Sequence, residues 1–202
     1  MKLIVGLIAI GLPFLTSYFA GSRITSISAS YYEGGWSQSI FVGFLFAIAA
    51  FLLAYNGLTK VDMILSKVAG VAGLGVALFP CQCGTHDERI PHVHAICAAI
   101  MFLVLAYFCY GFFRNAKAKG HAQAKARAAI YAVCGMAILV SIVSLAIYNL
   151  VGKELPGDRF TFYGEATGLI AFGISWLTAS RVLPVLTRQD ERFSPLREQN
   201  PR

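Results

Sequence analysis

Long apolar runs alternate with short polar segments along nearly the whole chain. Six runs stand out, at residues 3–20, 39–55, 63–79, 92–113, 128–151 and 163–180. Each is near the length that a bilayer core demands of a helix, about 20 mostly apolar residues. The runs are too long for barrel strands and do not alternate with period two. The pattern therefore predicts an all-α fold: a polytopic membrane helical bundle of six transmembrane helices in residues 1–186. A polar tail, 187–202, carries Pro195 and Pro201 and is expected to be disordered.

Composition agrees with this reading. Of 202 residues, 57% are hydrophobic and 13% charged, whereas a water-soluble domain carries about 25% charged residues. The net charge of +7 matters through its placement. Numbering the ends and loops alternately puts thirteen Lys and Arg on one side of the bundle. The other side holds four: Arg23, Arg89, Lys153 and Arg159. The positive-inside rule then places both termini in the cytoplasm and loops one, three and five outside. The short chain and loops are in keeping with a bacterial inner-membrane protein, which makes the outer side periplasmic. Membrane lipids are the expected partners, self-association is left open, and nothing points to nucleic acid.

The first run also has the outline of a cleavable signal peptide, with a basic start, an apolar core and small residues at Ala20-Gly21-Ser22. Pro13 is a candidate kink. Loop one, from Ser26 through Tyr31, Tyr32 and Glu33 to Trp36, reads first as an aromatic belt at headgroup depth. Its alternative is a cap over an outward pocket, made of Ser hydroxyls and Glu33. In the third run Ala69, Gly73 and Ala77 recur every four residues, a surface that lets helix backbones approach. Asp62 suits the start of that helix. The linker 114–127 has five Lys or Arg and no acid, which fits contact with anionic headgroups. Its His121 is expected to be solvated. Pro156-Gly157 in loop five is a turn signal.

Chemistry concentrates in residues 79–94. This segment holds Cys81, Cys83, His86, Asp87, Glu88, His92 and His94, and so three of the four histidines. Glu165 is the one acid that falls inside an apolar run, and intramembrane carboxylates face a partner or a cavity. The topology places Glu165 at the same depth as His92 and His94, which makes these three the candidate catalytic residues. Three readings follow. Glu165 and one histidine form a structural hydrogen-bonded pair. Alternatively His86, His92, His94 and Glu165, with Asp87, Glu88 or Glu33, hold a zinc-like ion that activates water for lipid hydrolysis. In the third, the pair is a protonatable gate in a transporter. His92 and His94 would point about 200° apart on a helix, so they share one ligand only if the segment is extended there. Cys81-Gln82-Cys83 would be oxidised outside the cell as a tight, labile disulfide, or would ligate a metal as thiolates. Cys97, Cys109 and Cys134 read as packing residues.

The run Ser26 to Tyr32, Phe41-Val42-Gly43, Ala77-Leu78-Phe79-Pro80, the His-containing start of the fourth run, and Ala171 through Leu177 resemble a family of uncharacterised bacterial six-helix membrane proteins. That family is distantly similar to the DRAM and fibroblast-growth-factor-receptor-activating-protein group. The resemblance covers the six runs but not the tail. It implies an integral membrane protein with an outward polar site and supplies no reaction. A weaker similarity is to the membrane hydrolases that include alkaline ceramidases and adiponectin-receptor-like proteins. These use a His-bound zinc ion on lipid amides. The chain departs from them in having six runs rather than seven and no His-x-x-x-His pair in the last.

Overall fold

A computed structural model describes residues 2–83, 90, 92–151 and 159–191. Among them are seven α-helices: α1 (Lys2–Phe19), the short α2 (Ser30–Glu33), α3 (Gly35–Ala54), α4 (Lys60–Leu78), α5 (Val93–Lys117), α6 (Ala122–Val151) and α7 (Phe160–Ala179). Two 3-10 turns follow, Pro184–Leu186 and Gln189–Glu191. His86, Asp87, Glu88, the Pro156-Gly157 turn and the tail from 192 lie outside the described residues.

Each apolar run forms one long helix. Five of them, α1, α3, α4, α5 and α6, are long and apolar enough to cross a membrane. The sixth run, α7, has 20 residues but stands outside that set. It carries Thr161, Glu165, Thr167, Ser175 and Thr178. Much of α7 faces other helices: Phe172 and Ser175 are fully buried and Trp176 nearly so.

Successive long helices pack side by side, and α7 returns to α1, which closes a ring of six. Small residues set the approach. A Cβ on Gly173 would lie 2.7 Å from the carbonyl oxygen of Gly6, and one on Gly6 would lie 2.8 Å from that of Gly173. The α1–α7 crossing is therefore backbone against backbone. The Ala69, Gly73, Ala77 stripe behaves as expected: all three are buried, and neighbouring Gly70 leaves room only for Leu53 and Ala49 of α3. At one end of the ring Tyr55, Phe108, Phe112 and Trp176 pack ring on ring. The Lys2 ammonium sits over Tyr55 and Phe112. Outward faces are apolar, with Leu7, Ile64, Val133 and Val140 more than half exposed. A continuous apolar surface of this kind needs a cover other than water.

Local signals account for the ends. Thr59 and Asp62 form a reciprocal capping box at the start of α4, a more specific role for Asp62 than the dipole alone. Pro13 lies within α1, which continues through it to Phe19. The linker 114–127 is mostly helical and turns at Gly120, whose φ is 76°. Here the expectation for His121 is corrected. Its side chain is only 20% exposed, and its Nδ1 accepts the backbone N–H of Ala124 at 3.2 Å, inside the first turn of α6. The chain beyond Leu186 also packs, at least to Glu191. Arg127 is 3% exposed and donates to the Leu186 carbonyl at 2.7 Å and to Glu191 at 2.8 Å. Lys119 donates to the same carboxylate. These bonds, that from Lys119 foremost, hold the Glu191 carboxyl down at about 2.

Candidate functional site: a Glu–Ser–His chain beneath the first loop

Loop one enters the protein instead of lying at its surface, so the belt reading is corrected. Ile24 and Ile27 pack with Leu12, Phe41, Phe162 and Leu169, and this burial draws the backbone between them inward. Ser26, Ser28 and Ser30 are all less than 7% exposed. Of the aromatic residues flanking the loop, Tyr18 and Trp36 are the most exposed, at 80% and 72%. Glu33 closes the loop on itself by accepting the Ser22 N–H and hydroxyl.

Backbone N–H groups carried inward need acceptors. Glu165, one turn into α7, supplies them. Its Oε2 accepts the N–H of Ile27 at 2.5 Å and that of Ser28 at 3.3 Å, and its Oε1 is 2.8 Å from Ser28 Oγ. On the other side of the hydroxyl, His94 Nε2 lies 3.0 Å from Ser28 Oγ, and His94 Nδ1 lies 2.8 Å from the Phe79 carbonyl. Glu165, Ser28, His94 and the end of α4 thus form one hydrogen-bonded chain that ties α7, loop one, α5 and α4 together. The expected Glu165–His pair exists, but a hydroxyl stands between its members.

Donor counting over these contacts leaves two arrangements of the hydrogens. A carbonyl only accepts, so His94 Nδ1 carries a hydrogen. Ser28 has a single hydroxyl hydrogen. If that hydrogen goes to Glu165, Nε2 must donate, and a carboxylate faces an imidazolium. If it goes to Nε2, Glu165 must donate, and both groups are neutral. The two forms differ by a concerted shift of two hydrogens. The chain is not a nucleophilic triad, in which the imidazole bridges serine and acid. Here serine bridges, and its hydroxyl is closed off from solvent.

The structure separates the histidines. His92 is exposed and sits in the left-handed conformation (φ 65°) just before α5, whereas His94 is buried. Among the described residues no three His, Cys, Asp or Glu side chains converge on a point that could hold a metal. Both Glu165 oxygens and both His94 ring nitrogens are directed at hydrogen-bond partners. A zinc site would have to draw on residues such as His86, Asp87 or Glu88, which lie outside the described residues.

Two neighbours complete this end of the molecule. Cys81 and Cys83 form a disulfide. The Ser26 hydroxyl lies 3.5 Å from Cys83 Sγ, and the Tyr32 hydroxyl donates to the Cys81 carbonyl at 2.8 Å. The second neighbour is a groove of about 490 Å³ between α1 and α7, whose lining includes Phe14, Ser17, Arg159, Tyr163, Thr167 and Ile170. The guanidinium lies 4.0 Å from the Phe162 ring centroid, and its Nη2 is 3.4 Å from Ser17 Oγ. Its Nε is buried with no hydrogen-bond partner. Sequence reasoning found Glu165 and His94 but missed Ser28 as the bridge and Arg159 as a site residue. The available signals were the alternating serines of loop one and a lone arginine set against Phe and Tyr at a helix start. Comparison with family models, characterised proteins and solved structures gives no match to this chain.

Proposed function

We propose that this chain is a six-span integral membrane protein of a bacterial inner membrane, with both termini cytoplasmic, that binds an anionic phospholipid in the groove between α1 and α7. The Glu165–Ser28–His94 chain is the structural lock that holds loop one over that end. Five helices are apolar enough to cross, and α7 closes the ring with them, so it is read as the sixth span.

The single observation that carries the lipid reading is Arg159. It is one of four basic residues on the side that the Lys and Arg count makes outward. It stands over an apolar slot with a buried, unpaired donor. A planar guanidinium matches a phosphate in two-pronged fashion. Stacking on Phe162 and Tyr163 fixes its plane. Phe14 and Tyr163, which line the same groove, are 61% and 59% exposed. Its volume falls in the range of about 300–1,000 Å³ usual for small-molecule sites. A phosphate at Arg159 with an acyl chain along Phe14 and Ile170 satisfies both ends.

The test is lipid analysis of protein purified in mild detergent and delipidated, then incubated with mixed phosphatidylglycerol and phosphatidylcholine. Native mass spectrometry should show about one phosphatidylglycerol per chain, and Arg159→Gln should weaken its binding at least about tenfold, the loss of one charge-assisted contact of roughly 1.5–3 kcal/mol. Arg23→Gln, which removes an exposed cation on the same side, should bind as wild type. Equal binding by all three proteins would sink the reading. Orientation is checked separately: a Glu88→Cys variant should label from outside intact cells.

A further inference from the structure

We infer that Cys81 and Cys83 are a redox-active pair that exchanges its disulfide with a dithiol partner. The position of the bond is the first reason. A disulfide stabilises by constraining the unfolded chain, and the constraint grows with the loop it closes. Here one residue lies between the two cysteines, so the bond sits at the bottom of that scale and constrains little of the chain. The segment is held by other means. Tyr32 grips the Cys81 carbonyl and His94 the Phe79 carbonyl, and both contacts persist when the bond opens. The two thiols would stay side by side, ready to close again.

The second reason is asymmetry. Cys81 is 7% exposed, whereas Cys83 is partly open to the surface. The Ser26 hydroxyl meets Cys83 Sγ. A disulfide sulfur has no hydrogen, so Ser26 is the donor, and it would steady negative charge on that atom. The other three cysteines are unpaired, with Cys109 and Cys134 buried.

The step balances as follows. A thiolate of the dithiol attacks Cys83 Sγ. The Cys81–Cys83 bond breaks, and Cys81 leaves as a thiolate that takes up a proton. The partner's second thiol, deprotonated, then attacks its own first sulfur and releases Cys83 as a thiolate beside Ser26. Two electrons pass to the pair, and the partner leaves as a disulfide. The inference is independent of the lipid groove.

The experiment uses the full chain in detergent with dithiothreitol as the probe. Samples are quenched with an alkylating maleimide and mapped by peptide mass spectrometry. Cys81 and Cys83 should be reduced while the protein stays folded, and the melting temperature of the reduced protein should lie within about 6 °C of the oxidised one, as a loop this short implies in a chain of this length. In the single variants, Cys81→Ser should take glutathione from glutathione disulfide at Cys83 at least about tenfold faster than Cys83→Ser does at Cys81, since access governs exchange. Reduction only on melting, a large drop in melting temperature on reduction, or equal or reversed rates in the two variants would each overturn the inference.

Discussion

Replacing Glu165 separates a hydrogen-bond lock from a requirement for charge. Glu165 receives three donors: the Ile27 and Ser28 N–H groups and the Ser28 hydroxyl. Glu165→Ala leaves two inward-facing N–H groups without an acceptor. At roughly 1–3 kcal/mol for each buried group left unsatisfied, the loss is about 2–6 kcal/mol. For a chain of this length, that corresponds to a fall in melting temperature on the order of 10 °C. Glu165→Gln is different. Its amide oxygen can take the two N–H groups, and its amide nitrogen can donate to Ser28 Oγ. Ser28 then donates to His94 Nε2, and His94 Nδ1 keeps its bond to Phe79. One of the two amide hydrogens then has no acceptor in this chain, so the expected cost is about 1 kcal/mol, the low end for a single unsatisfied buried group and well short of the loss in Glu165→Ala. The assay is thermal melting in detergent, followed by tryptophan emission and by retention of a monodisperse peak. The reasoning is refuted if Glu165→Gln melts as low as Glu165→Ala. That result would mean that an ionised carboxylate, and not the count of donors and acceptors, holds the loop.

Other consequences are separable. Gly173→Ala sets a Cβ 2.6 Å from Ile10 Cγ1 and 2.7 Å from the Gly6 carbonyl oxygen, so a side chain and the backbone behind it must both give way; overpacking of this kind costs about 1–3 kcal/mol, visible as a lower melting temperature and yield. Gly111→Ala, with nothing within 4 Å of its Cβ, should be neutral or slightly stabilising. The Glu191 carboxyl, held at about 2 against its usual 4.5, is depressed on folding, so the Lys119 and Arg127 bonds contribute fully above about pH 4.5 and fade as pH falls toward 2. Proteolysis of the 187–191 segment by pepsin should rise steeply below about pH 3, and Glu191→Gln should show that sensitivity already at pH 5 with a protease active there. Chelation should leave the melting temperature unchanged, because Glu165 and His94 hold each other through Ser28; a fall of several degrees, restored by zinc, would restore the metal reading with ligands such as His86, Asp87 or Glu88.

The helices were legible because bilayer length and lack of charge write themselves into the sequence, and the boundaries moved by only a few residues. The ends moved for physical reasons. α5 runs on to Lys117 and α6 starts at Ala122 because the linker is Ala-rich and helix-prone, so a basic loop became two helix ends. The candidate pair was half legible. Glu165 announces itself as an acid in an apolar run, and His94 lies at the matching depth. Spacing along the chain could not show that residue 28 would stand between residues 94 and 165. Nor could it separate His92 from His94, since that depends on where α5 begins and on the left-handed residue before it. Loop one misled because Ser, Tyr and Trp at a helix end have the composition of an interfacial belt. Ile24 and Ile27 were the residues that distinguished an inward loop.

Loop one emerges as the piece on which this end of the molecule depends. Between Ser22 and Glu33 it contacts itself. Through Thr25 it accepts the N–H of Phe162 at 3.0 Å, the residue that stacks on Arg159. Ser26 reaches the disulfide, Ser28 reaches Glu165 and His94, and Tyr32 reaches the backbone of Cys81. The groove and the disulfide therefore share one support without touching the same side chains. Ser28→Ala removes the bridge and leaves Glu165 Oε1 and His94 Nε2 without their shared partner. It should loosen lipid retention and quicken reduction of the disulfide together. Arg159→Gln should affect only the first, and Cys81→Ser should leave lipid binding as it was. If Ser28→Ala changes neither property while the protein remains folded, the Glu–Ser–His chain is a local bond rather than the support of this end.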